Sequence, residues 1–101
     1  LRTSVTTPCP GTTSNGVVLI NSSWQCAYGL ANLANTGTTG RLYLIALDAN
    51  GVFDPSLPDV YLDPGDTMAQ YTPPPNAAQV LAVCCKDCSG QATLEYDAPN
   101  A

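Results

Sequence analysis

From residue 17 onward the chain is a series of short apolar runs, each broken by turn-forming residues before it reaches helical length. The runs fall at 17–20, 25–33, 41–48, 59–62, 67–71, 78–85 and 91–96, and each reads as a β-strand. Between them lie Asn35–Gly40, Ala49-Asn50-Gly51, Asp63-Pro64-Gly65, Pro73-Pro74-Pro75-Asn76 and Lys86–Gly90. Asn50-Gly51 and Pro64-Gly65 are strong turn signals, because Gly accepts positive φ and Pro presets the bend before it. No stretch of eleven residues carries a 3.6-residue period free of Gly and Pro, so essentially no helix is expected.

Residues 1–16 follow a different pattern. Thr and Ser dominate, Pro8 and Pro10 flank Cys9, and Val5 is the one apolar residue between Leu1 and Cys9. Prolines lack donors, and Thr and Ser compete for backbone hydrogen bonds, so this stretch predicts an extended N-terminal arm or a first edge strand. The expected organisation is that arm at 1–16 and one β-sandwich domain over 17–101. It is all-β, small and antiparallel, with about seven strands and the general look of an immunoglobulin-like sandwich.

Two runs break the usual alternation of a sandwich strand. In 41–48 one face carries Leu42, Leu44 and Ala46 and the other Tyr43, Ile45 and Leu47; in 78–85 the faces are Val80, Ala82, Cys84 and Leu81, Val83, Cys85. A two-layer sandwich buries only one face of each strand. Something must cover the second face, either loops such as 52–58 folding over the sheet or a neighbouring subunit.

Composition narrows the setting. The 101 residues are 45% hydrophobic but only 11% charged, which leaves a surface of Thr, Ser, Asn, Gly and Pro. That suits a secreted or surface-displayed protein, or one covered by neighbours in an assembly. A net charge of −5 with three basic residues offers no patch for a nucleic-acid backbone. No apolar run approaches the roughly 20 residues that span a bilayer. Residue 1 is Leu and no basic-then-apolar leader opens the chain, so a processed chain is expected.

Five cysteines, Cys9, Cys26, Cys84, Cys85 and Cys88, are dense for a reducing compartment and odd in number. Cys85 and Cys88 make a C-x-x-C, which fits a redox pair or half of a thiolate metal site. Zinc is possible by count, from Cys84 or Cys85 with Cys88, Cys9 and Cys26. The redox reading lacks the helix that lowers the thiol pKa in such pairs. A structural staple is favoured, in which one of Cys84 and Cys85 bridges Cys26 and the other pairs with Cys88 or Cys9. Adjacent strand residues point to opposite faces, so Cys84 and Cys85 are not expected to share a partner.

Other chemistry is sparse. The chain has no His, which removes Ser-His-Asp and Cys-His catalysis and imidazole metal sites. Asp48, Asp54, Asp63 and Asp66 cluster in turn-rich sequence and give calcium a weak candidacy, although the ligand spacing of an EF-hand is missing. Trp24 and Tyr71 stand at strand edges where a sugar ring could stack. No cofactor is expected and no enzyme is indicated.

These features together predict a non-enzymatic structural subunit of an extracellular, cell-surface or virion assembly: a filament, a surface layer, or a capsid or coat decoration. Its partners would be copies of itself or other subunits, joined through Val5, Tyr43, Ile45 and Leu47 and through strand edges. The alternative is a small carbohydrate-binding or adhesive module using Trp24 and Tyr71.

Overall fold

The computed structural model describes residues 2–99. The alternating runs become eight strands: β1 (Arg2–Cys9), β2 (Val17–Ile20), β3 (Leu30–Asn35), β4 (Leu42–Asp48), β5 (Tyr61–Leu62), β6 (Thr67–Tyr71), β7 (Ala77–Cys84) and β8 (Gly90–Asp97). A short helix, α1 (Ser23–Tyr28), joins β2 to β3. The strands form two antiparallel sheets of four, ordered β1-β8-β3-β6 and β2-β7-β4-β5.

Pairing follows a nested scheme, with β1 against β8, β2 against β7, β3 against β6 and β4 against β5. The chain is one long hairpin rolled across two sheets, which is the strand arrangement of a jelly roll. This corrects the expected immunoglobulin-like sandwich of about seven strands, whose sheets hold unequal numbers of strands in another order. Alternation marks the faces of a strand but not its partner. The eighth strand is the N-terminal segment, which pairs with β8 from Arg2↔Asp97 to Cys9↔Gly90 as a sheet edge.

The run 25–33 is also corrected, since its first part is α1 and only its second part is strand. Ser22 starts the helix, its hydroxyl donating to Gln25 Oε1 at 3.0 Å, and Gly29 ends it at φ 74° with its N–H on the Gln25 carbonyl. Six residues are under two turns, too few to show a period. A further irregularity follows in β3, where Asn32 takes φ 52° and the register shifts. The extra residue brings both Leu30 and Leu33 into the core.

Leu30, Leu33 and Leu94 from the first sheet meet Leu42, Leu44 and Val80 from the second in one buried cluster. Asn35 is buried among them, and it ties the two sheets together at the end where β3 stops. Its amide donates to the Gly40 carbonyl at 2.7 Å and the Leu62 carbonyl at 2.9 Å, while its side-chain oxygen accepts from Gly37 N–H at 3.1 Å. Asn35→Ala should therefore cost about 3 kcal/mol, since each buried backbone group left unpaired costs about 1–3 kcal/mol. Urea unfolding of the oxidised protein measures it.

Candidate functional site

The outer faces of the two sheets differ sharply. On the first sheet, alternation turns Ser4, Thr6, Gln91, Thr93, Glu95 and Asp97 outward, and Arg2 lies 3.7 Å from Glu95 and 3.8 Å from Asp97. That face is polar and wet. On the second sheet, the β4–β7 register sets Tyr43 opposite Val83 and Ile45 opposite Leu81, with Leu47 opposite Gln79. Val18 of β2 continues the row beside Leu81, Tyr61 of β5 beside Tyr43, and Phe53 beside Leu47.

Leu81 and Val83, at the centre, are shielded by these neighbours, whereas Val18, Tyr61 and Phe53 at the margin are 46%, 42% and 39% exposed. The loop 52–58 is exposed along its whole length. Its Phe53 bridges to Leu47 at one end of the row, and the Val52 carbonyl accepts from the Asp48 N–H. Tyr43 and Tyr61 touch with ring centroids 5.7 Å apart, and the Arg41 guanidinium lies 3.9 Å over the Tyr61 ring. Arg41 also grips Asp63 with both ends of its fork, at 2.7 and 3.2 Å, and that hydrogen bonding holds it even more firmly protonated. This clamp fixes the two-residue strand β5 at the rim of the apolar row.

Val5 does not belong to that row. It sits on the inward face of β1 with Thr3 and Thr7, packed against the core, so its candidacy as an interface residue is corrected. The alternation of β1 sends its polar residues outward instead.

Of the two stacking candidates, Tyr71 is only 7% exposed and belongs to the core, because the end of β6 points it inward beside Leu30. Trp24 is 48% exposed, and its ring meets Tyr28, 68% exposed, edge-on at 6.0 Å. Tyr28 stands beside Trp24 through the i, i+4 spacing of α1, a neighbourhood that a strand reading of this run does not give.

The aspartates are used locally. Asp48 accepts from Asn50 and Val52 N–H groups at 2.8 and 3.0 Å, Asp66 accepts from Asp63 N–H at 2.9 Å, and Asp63 takes Arg41. Asp54 accepts from the Ser56 hydroxyl and N–H, which hold its carboxyl below the ordinary range. No three of the four gather at one point among the described residues, so the calcium candidacy has no common site.

The cysteines pair as Cys9–Cys84 and Cys85–Cys88, leaving Cys26 free and buried in α1. The expected bridge to Cys26 is corrected: α1 lies at the end of the sandwich where β7 begins, and Cys84 is at the other end of that strand. Cys9–Cys84 joins the two sheets across 75 residues, and closing such a loop contributes about 4.5 kcal/mol in the chain-entropy model. The strand ends at Cys84, so the turn that follows is free to re-aim Cys85. The sulfurs of Cys84, Cys85 and Cys88 consequently lie within 4.8 Å of one another, closer company than strict alternation predicts. No helix among the described residues is long and apolar enough to cross a membrane.

Compared with known proteins, the chain matches no family model, no curated protein and no solved structure.

Burial pushes the Cys26 thiol and the Tyr71 and Tyr96 hydroxyls up from their ordinary values of 9.0 and 10.0. A raised folded-state pKa stabilises below the unfolded value and is lost as pH rises through the folded one. Stability should hold to about pH 9 and fall above it, with Tyr71 and Tyr96 ionising only as the β-sheet circular dichroism disappears. A thiol reagent at pH 8 should find no reactive group in the native oxidised protein and one after denaturation.

Proposed function

We propose that this protein is a non-enzymatic structural subunit that assembles through the outer face of its second sheet, in an extracellular or virion setting such as a filament, surface layer or capsid coat. The observation that carries this reading is the contrast between the two outer faces. One is covered with Thr, Ser and paired charges, and the other presents a contiguous apolar row of Val18, Tyr43, Ile45, Leu47, Tyr61 and Phe53. Contiguous apolar surface of this kind marks an interface.

The occupant is a second copy of this chain. The row is apolar along its middle, with the charges of Arg41, Lys86 and Asp87 at its edge, and the same row on another copy is self-complementary about a two-fold axis. Two such faces pack at the roughly 10 Å spacing of stacked sheets. A stable interface takes about 800 Å² from each partner, and the molecule's long extents of 32 and 27 Å set the upper bound on what one face can offer. Jelly rolls include capsid and lectin domains, so the fold accommodates this role without assigning it. The two disulfides suit an oxidising exterior.

Tyr43→Asp or Ile45→Asp should raise the dimer dissociation constant about 30-fold or more, since burying an unpaired carboxylate costs at least the ~2 kcal/mol of an interface hot spot. Thr6→Asp on the opposite face should change nothing. Light scattering after size exclusion reads both, and a parent chain that stays a 10.5 kDa monomer at high micromolar concentration would sink the reading.

A second reading rests on the exposed Trp24–Tyr28 pair, whose two rings offer apolar area to a sugar. If the chain is a glycan-binding module, titration with a glycan panel should shift tryptophan emission, and Trp24→Ala and Tyr28→Ala should each abolish capture on the same array.

A further inference from the structure

The end of the sandwich that holds Asn35 also gathers four sulfurs. Those of Cys84, Cys85 and Cys88 lie within 4.8 Å of one another, and Cys9 is bonded to Cys84. Three parts of the chain deliver them: the last residue of β1, the last residue of β7, and the turn from β7 to β8. Tetrahedral coordination with metal–sulfur distances of about 2.3 Å sets the sulfurs about 3.8 Å apart. The three that already cluster need little movement to reach that separation.

From this we infer that, when its disulfides are reduced, the chain binds one zinc-class divalent cation through Cys9, Cys84, Cys85 and Cys88. Each pair has its Cα atoms 5.4 Å apart, so opening the bonds frees four side chains at one end of the fold to turn toward a common ion. The C-x-x-C turn supplies two ligands from one short loop, as structural zinc sites do. Its backbone is already closed, with the Cys88 N–H on the Cys85 carbonyl and the Cys85 N–H on the Arg41 carbonyl.

The surroundings hold the other two ligands in place. Gly40 passes so close that a Cβ there would stand 2.9 Å from Cys84 Sγ and 3.2 Å from Cys9 Sγ. Its carbonyl is held by Asn35. Cys84 is fully buried, while Cys9, Cys85 and Cys88 are half-buried, which leaves an entry path from the turn side. A four-thiolate tetrahedral donor set favours zinc over the hard cations that take oxygen ligands.

The chemistry balances with a dithiol as the reductant. Each protein disulfide accepts two electrons and two protons from one dithiol, which leaves as its own disulfide. The four thiols then lose four protons as they bind one divalent cation. Oxidation by two equivalents of a disulfide oxidant reverses this, re-forming both bonds and releasing the ion. The same four side chains thus close this end of the fold in either compartment, by metal where thiols persist and by disulfides where they do not.

The test reduces the whole chain with a water-soluble phosphine, removes the reagent under argon, and titrates with Co²⁺ and then Zn²⁺. Uptake of one Co²⁺ per chain with the ligand-field spectrum of a tetrahedral tetrathiolate, displaced by one Zn²⁺, is the expected result. Cys9→Ser and Cys88→Ser should each lose that spectrum and weaken uptake about 100-fold or more, beyond the effect of removing an outer partner of a ligand. Cys26→Ala should leave both unchanged. Should the reduced chain lose its near-ultraviolet circular dichroism, addition of Zn²⁺ should restore it. Absence of stoichiometric uptake, a tetrathiolate spectrum that survives Cys9→Ser, loss of it in Cys26→Ala, or failure of Zn²⁺ to restore structure would each overturn the inference.

Discussion

The register between β4 and β7 decides most of what this protein is. Leu42↔Cys84, Leu44↔Ala82 and Ala46↔Val80 face the interior, so the intervening Tyr43↔Val83 and Ile45↔Leu81 face out. A slip of one residue would exchange the two sets. Because both sets are apolar, hydrophobicity alone does not choose between them. Other contacts break the tie: Cys84 must point inward to meet Cys9, and Arg41 at the start of β4 must stand where Asp63 and Tyr61 can receive it. The covalent bond and the ion pair therefore fix register, and register in turn sets core, cysteine cluster and outer row together.

The two ends of the sandwich divide the work. One end is held by links between the sheets, namely Asn35 to the Leu62 carbonyl and Cys9 to Cys84, and by the Arg41–Asp63 pair within the second sheet. The opposite end carries α1, the exposed loop 52–58 and the prolines at 73–75. Rigid closure at one end relieves the small core of much of the stabilising task, which matters in a domain whose total stability is about 5–15 kcal/mol. A fold stapled in this way can leave apolar side chains outside without losing its native state.

Strand positions, turn chemistry and the double apolar character of 41–48 and 78–85 were legible in the sequence because each is a local property. Topology was not, since pairing β1 with β8 or β2 with β7 joins residues far apart in the chain and leaves no local mark. Tyr71 looked like an edge aromatic because the prolines after it suggested a loop, yet the β6 register turns it inward beside Leu30. The helix α1 left only two traces, Ser22 three residues before Gln25 and Gly29 at its end, and both were hidden inside an apolar run. Counting cysteines does not separate Cys26 from the disulfide set, whereas its place on α1 leaves it free while the other four pair.

The outer row and the cysteine cluster are continuous. Tyr43, Ile45 and Val83 line one shallow groove with Cys85, Lys86 and Asp87, so the apolar face runs directly into the turn that the Cys85–Cys88 bond closes. A copy docked on the face would meet a rim whose shape is set by that bond and by Gly11, packed against the Cys84 backbone. Shape complementarity in a sheet-to-sheet interface depends on such rims staying fixed, because a mobile rim adds ordering entropy to every association. In the proposed assembly, locking the turn covalently would remove that cost before docking, in addition to the about 2 kcal/mol that its four-residue ring contributes to folding.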